Sequence, residues 1–161
     1  MSELSVLGAQ IGALLKERKQ TIAVAESSAG GLINAALVAV PGASAFYLGG
    51  AIIYTKAGRT ALLGIGAPDV KGMRSASEPY AKLLALQVRS KLGATWGLSE
   101  TGASGPSGNS YGDAPGHACI AVNGPREAVS KVETGSADRE ANMHEFARRA
   151  LALLESCLQK T

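Results

Sequence analysis

Ser27 and Ser28 place two hydroxyls side by side in the stretch Ala25-Glu26-Ser27-Ser28-Ala29-Gly30-Gly31. A serine hydroxyl becomes a nucleophile when a base takes its proton and nearby donors receive the charge that develops on the substrate. Upstream runs Thr21-Ile22-Ala23-Val24, rich in β-branched and small apolar residues. Downstream, Leu32, Ile33, Ala36 and Leu37 repeat at helical spacing. The pattern predicts a strand, a tight turn and a helix. A helix start has free backbone N–H groups and a partial positive charge, which suit an anion or a developing oxyanion. An ordinary helix cap and turn would use the same residues. The chain has no G-x-S-x-G, no Walker loop and no G-x-G-x-x-G opening a helix.

A second stretch with chemical potential is TGASGPSGNSYGDAPG, from Thr101 to Gly116, which has no apolar periodicity. Loops of this length are functional or disordered. Small residues let backbone amides approach a ligand, and they equally suit a free surface loop. Asp113 and His117 are expected as loop and strand-edge residues.

The elements around these stretches follow from periodicity. Leu4, Leu7, Ile11, Leu14 and Leu15 predict a helix over 3–18. A strand at 21–25 and a helix at 29–39 follow, closed by Pro41-Gly42. Residues 46–55 read as a buried strand, 56–63 as a short helix and 64–74 as a loop. Ser75-Ala76-Ser77-Glu78 has the form of a capping box. It opens a helix with Tyr80, Leu84, Val88 and Leu92 on one face, and Gly93 ends it. Strands are predicted at 95–100, 117–122 and 127–134, the last two joined by Asn123-Gly124-Pro125. Asp138 caps a final helix with Met143, Phe146, Ala147, Ala150, Leu154 and Cys157 inward. This order predicts a single-domain three-layer α/β/α sandwich with a mixed sheet, over 1–161 without repeat or linker.

Composition narrows the functions. The 161 residues are 46% hydrophobic but only 4% aromatic, so alanine, leucine, valine and glycine must build the core. The net charge of +3 is scattered, which argues against a nucleic-acid footprint. Cys119 and Cys157 lack C-x-x-C partners, and only His117 and His144 could assist them. That favours a reducing compartment and no metal site. No apolar run reaches membrane-span length, and the N-terminus lacks a signal-peptide layout. The expectation is a cytoplasmic protein without a cofactor.

Several motifs, taken in order, resemble the CinA C-terminal domain family, the nicotinamide-nucleotide amidases. The family's A-E-S-C-T-G-G is similar to Ala25–Gly31, and its V-P-G-S-S-A to Val40-Pro41-Gly42-Ala43-Ser44-Ala45. Its Y-S-N-E-A-K is similar to Tyr54-Thr55-Lys56-Ala57-Gly58-Arg59, followed by Leu63-Gly64. Its V-S-E-E resembles Ala76-Ser77-Glu78-Pro79, its T-G-I-A-G-P resembles Thr101-Gly102-Ala103-Ser104-Gly105-Pro106, and its G-D-R resembles Ala137-Asp138-Arg139. The likeness runs from about residue 10 to 158.

The resemblance implies hydrolysis of the amide of nicotinamide mononucleotide to nicotinic acid mononucleotide and ammonia, by a homo-oligomer. It implies Ser27 as nucleophile. It also implies substrate contacts from Glu26, Ser28, Gly30 and Gly31 at the turn, from Tyr54, and from Thr101, Gly102, Ser104 and Gly105. The family's basic lysine is matched by Arg59. A guanidinium keeps its proton in proteins, so it cannot act as that base. It can grip a phosphate or carboxylate bidentately. Lys56, three residues earlier, can replace the base or be a solvated lysine. The alternative is a catalytically silent relative that binds or senses a pyridine nucleotide. Ser28 and Ala29 also replace the family's Cys and Thr, and the larger N-terminal domain of many family members is not matched.

Overall fold

A computed structural model describes residues 2–161. In chain order the elements are α1 (Glu3–Arg18), β1 (Ile22–Glu26), α2 (Leu32–Val38), β2 (Tyr47–Ile52), α3 (Lys56–Leu63), α4 (Glu78–Leu92), β3 (Trp96–Ala103), β4 (His117–Asn123), β5 (Ala128–Glu133) and α5 (Arg139–Gln159). Short 3-10 turns occupy Ala43–Ala45 and Ala67–Val70, the latter inside the predicted loop.

The strands form one sheet in the order β2-β1-β3-β4-β5. β1 pairs in parallel with β2 and β3, and β3, β4 and β5 run antiparallel. Every residue of β1 is buried, because the strand has a neighbour on each side and helices on both faces. Its side chains alternate between two cores. Ile22 and Val24 pack with Ile33, Phe146 and Leu151 in the layer of α1, α2 and α5. Ala23 and Ala25 pack with Tyr80, Leu84 and Val88 of α4. The fold is therefore a three-layer α/β/α arrangement with a mixed sheet. A Cβ on Gly97 would stand 2.2 Å from the Ala85 carbonyl oxygen, so this glycine lets α4 lie directly on β3.

One predicted cap is placed differently. Ser77, not Ser75, caps α4, its hydroxyl accepting from the Tyr80 amide at 3.4 Å. Ala76 precedes it with φ +54, a left-handed conformation that breaks the expected box. Met143 is only half-buried on α5, and Asn142 takes an inward position.

Topology creates a site. The connection from β1 to β2 runs through α2 on one face. The connection from β2 back to β3 runs through α3 and α4 on the other. The chain thus leaves the carboxyl ends of the adjacent strands β1 and β2 over opposite faces, and a crevice opens at these ends beside β3, as at other topological switch points. Ser27 follows β1 directly, and Thr101 and Gly102 lie near the end of β3.

Candidate functional site

A cleft of about 320 Å³ occupies this crevice, lined by Ser27, Ile53, Tyr54, Thr55, Lys56, Arg59, Ser75, Tyr80, Thr101 and Gly102. That volume is at the small end of ligand pockets, which run from about 300 to 1,000 Å³. A hollow of similar size between α4 and β5 is lined by Lys82, Leu83, Leu86 and Val129 among others. It holds no nucleophile, and the strand ends do not converge on it.

The two serines have separate surroundings. Ser27 is half-buried and faces the cleft. Ser28 is buried, and its hydroxyl is bonded to Glu100 Oε2. Glu100, on β3, is fully buried, and its Oε1 accepts from the Ser27 amide at 3.0 Å and the Ala29 amide at 2.9 Å. Burial pushes its carboxyl up to about 7, against the Ser28 hydroxyl and these two amides, with the nearby Glu26 charge adding to the rise. Glu100 is a residue that sequence reasoning missed. Its only local signal was an ionisable side chain closing an apolar strand, ahead of the glycine-rich stretch.

Glu26 is the last residue of β1, is fully buried, and caps α2. Its Oε1 accepts from the amides of Gly31 at 2.7 Å and Ile33 at 3.3 Å. Its Oε2 accepts from the Asn34 amide at 2.8 Å and side chain at 2.7 Å. Tyr47 donates its hydroxyl to Asn34 Oδ1 at 2.5 Å, and burial beside Glu26 pushes this phenol upward, keeping it a donor. This corrects the expectation that the helix start stands open to a ligand. A buried carboxylate needs donors, and Glu26 has taken those of α2. Among the amides of residues 27–34, only that of Ser28 donates to no described group.

The other expected contacts divide. Tyr54, Lys56, Arg59, Thr101 and Gly102 line the cleft with Ser27, whereas Glu26, Ser28, Gly30, Gly31, Ser104 and Gly105 do not. Gly30 backs onto α5, where a Cβ would meet Met143 Cε at 2.7 Å, and Gly31 caps α2 at φ +107. The Ser104 carbonyl accepts from Asn142 Nδ2 at 2.9 Å and the Gly105 carbonyl from Arg139 Nη1 at 2.6 Å, so α5 fixes this turn. Arg139 also donates to the Tyr54 hydroxyl at 3.0 Å and holds that ring at the cleft mouth. Ser75, not foreseen as a lining residue, is carried in by its neighbour Ala76. The Ala76 amide donates to Thr101 Oγ1 at 3.2 Å, and its carbonyl meets His117 Nε2 at 2.7 Å.

Two cations border the cleft. Lys56 is exposed at the first position of α3, where the Thr55 hydroxyl caps the helix through the Gly58 amide at 3.0 Å. Arg59 is buried one turn on. Among the described residues no group of three or more His, Cys, Asp or Glu side chains could hold a metal ion. Cys119 is packed against Ala81 and Ala85, and burial pushes its thiol up to about 11, which removes it as a nucleophile. No described helix is long and apolar enough to cross a membrane.

The CinA C-terminal domain family matches the chain over residues 5–158. A CinA-like protein of Gloeothece citriformis is 36% identical over 132 residues, 82% of this chain and 32% of that protein. Another, of Acaryochloris marina, is 40% identical over 120 residues, 74% of this chain and 29% of that protein. The chain spans less than a third of the length of the curated relatives it matches. The crystal structure of the competence damage-inducible protein A from Klebsiella pneumoniae superposes with a TM-score of 0.90 at 25% identity, covering 97% of each chain. The competence/damage inducible protein CihA from Agrobacterium tumefaciens, at 24% identity and TM-score 0.90, shares the fold over 99% of this chain and 97% of its own.

Proposed function

The chain belongs to the CinA C-terminal domain family, and from that premise we propose that it is an amidohydrolase acting on nicotinamide mononucleotide or a related pyridine nucleotide amide. The observation that carries this reading is Ser27 at the switch point, facing a cleft that also holds Lys56. Ser27 Oγ attacks the carboxamide carbon while its proton passes to Lys56. The Ser28 amide does not line the cleft but is next in the chain to the nucleophile and has no described acceptor, so it is the donor that the oxyanion of the tetrahedral intermediate would recruit. Collapse transfers a proton to the amide nitrogen and expels ammonia, leaving an ester on Ser27. Water then hydrolyses the ester to the carboxylate and restores the serine. The chain would work as a homo-oligomer in the cytoplasm and needs no cofactor for these steps.

The test is ammonia release from nicotinamide mononucleotide by the purified chain, Ser27→Ala and Lys56→Ala. Turnover that falls by about a thousandfold or more in Ser27→Ala supports the nucleophile, because removing a nucleophile abolishes the covalent route. Turnover that survives Ser27→Ala refutes it. Survival in Lys56→Ala alone assigns the proton to another acceptor.

One observation favours a second reading, a catalytically silent nucleotide-binding relative. The buried cation of the cleft is an arginine, and the lysine is the exposed one. Lysines act as bases where burial favours their neutral form. Binding of the mononucleotide without ammonia release in any of the three proteins identifies this case.

A further inference from the structure

Arg59 is only 6% exposed, yet it has no counter-ion. Among the described residues no carboxylate lies within 4.0 Å of its guanidinium. Its single protein bond runs from Nε to the Ile65 carbonyl at 3.2 Å. That bond fixes the plane of the group and leaves both terminal amino groups, the end-on fork, without a protein acceptor. Arg59 also lines the cleft that holds Ser27, Lys56 and Thr101. Burying a charge without a partner is costly. Neither terminal amino group is among the fully buried unpartnered atoms, so both can be reached by an anion that enters the cleft.

We infer that Arg59 forms an oxyanion-binding site within this cleft, gripping a carboxylate or phosphate oxygen pair end-on through Nη1 and Nη2. The inference rests on reading the cleft as the ligand site, but not on turnover. A fork matches two oxygens of one planar or tetrahedral anion, whereas a neutral carboxamide offers only one acceptor oxygen. The cleft therefore selects ligands bearing an oxyanion at this position. Two sources fit: the carboxylate of a deamidated pyridine, or the phosphate of the nucleotide. Lysine at this position would carry the charge but could not hold the Ile65 carbonyl and two ligand oxygens in one plane.

The experiment is calorimetric titration of inorganic phosphate, nicotinic acid mononucleotide and nicotinamide mononucleotide. The hosts are Ser27→Ala, so that no amide is consumed, and Ser27→Ala combined with Arg59→Met or Arg59→Lys. Arg59→Met keeps the unbranched stem and removes an unpaired buried charge, so a folded protein is expected, and its circular dichroism checks this. The expected result is that both Arg59 substitutions weaken anion binding by about tenfold or more, the worth of one bidentate charged contact. If nicotinic acid mononucleotide is preferred over nicotinamide mononucleotide and Arg59→Met erases the preference, the anion is the carboxylate. If both mononucleotides weaken equally in Arg59→Met and inorganic phosphate competes with them, it is the phosphate. Phosphate bound through Arg59 with neither mononucleotide bound keeps the inference and removes the amidase reading. Equal affinities in all three proteins, or no binding of any of the three probes, overturns the inference.

Discussion

Glu100 makes stability depend on pH in an unusual direction. Its carboxyl is raised from an ordinary 4.5 to about 7 by burial, so the folded protein holds a proton that the unfolded chain releases. Where the native state binds more protons than the unfolded one, stability falls as pH rises. The contribution is complete below 4.5 and is lost progressively up to about 7. Between roughly pH 5 and pH 8 this single group costs about 2.5 kcal/mol of unfolding free energy. Glu100→Gln cannot ionise, yet its amide oxygen can still accept from Ser27 and Ala29, and its NH2 can donate to Ser28 Oγ. The measurement is urea unfolding of both proteins at the two pH values. The difference between them cancels every other titrating group. Glu100→Gln is expected to gain about 2.5 kcal/mol on the parent protein between acid and alkaline conditions. Parallel pH dependences, with a difference constant to within about 0.5 kcal/mol, refute the account of a proton held at Glu100.

Glu26→Ala strips the acceptor from the amides of Gly31, Ile33 and Asn34 in a water-poor site. Its expected cost in urea unfolding is about 3 kcal/mol or more, far above an exposed cap, and a loss under 1 kcal/mol would show that α2 is held by packing alone. His117→Leu leaves the Ala76 carbonyl without its ring partner and releases Glu133, whose Oε1 stands 2.6 Å from Nδ1. It should cost about 1–3 kcal/mol and speed hydrogen exchange at the Ala76 amide relative to α4, and unchanged exchange there would separate His117 from the Ser75 segment.

Much of the scaffold could be read from local pattern. The heptad-like leucines of α1, the β-branched run of β1 and the glycine closing α4 are short-range signals, and their elements lie within a few residues of expectation. The four letters from Ser75 to Glu78 contain two possible caps. Burial of Ala76, pinned by Thr101 and His117, selects Ser77. Those partners lie 25 and 41 residues away, where no window of periodicity can reach them. The meeting of Ser27, Arg59 and Thr101 in one cleft likewise depends on strand order, which reverses at β1 for reasons of topology rather than of any local motif.

The deepest difference concerns who uses the backbone amides of the turn. A strand–turn–helix with two glycines looks, residue by residue, like an open anion site. Yet a glutamate at the end of β1 and another at position 100 of β3 are both fully buried, and each must find donors. Glu26 consumes the start of α2 and Glu100 consumes the amides of Ser27 and Ala29, so the turn is held rigid by two buried carboxyl groups that do not line the cleft. Of these amides only that of Ser28 is left without a described acceptor. One such donor is worth about 2.7–4 kcal/mol to an oxyanion, or two to three orders of magnitude in rate. Ser28 itself does not line the cleft, whereas Lys56 and Arg59 do, so the cleft draws its electrostatic strength from these cations and chiefly from the unpaired guanidinium. The choice of arginine at position 59 therefore weighs more on what this cleft binds than the serine turn that first draws attention to it.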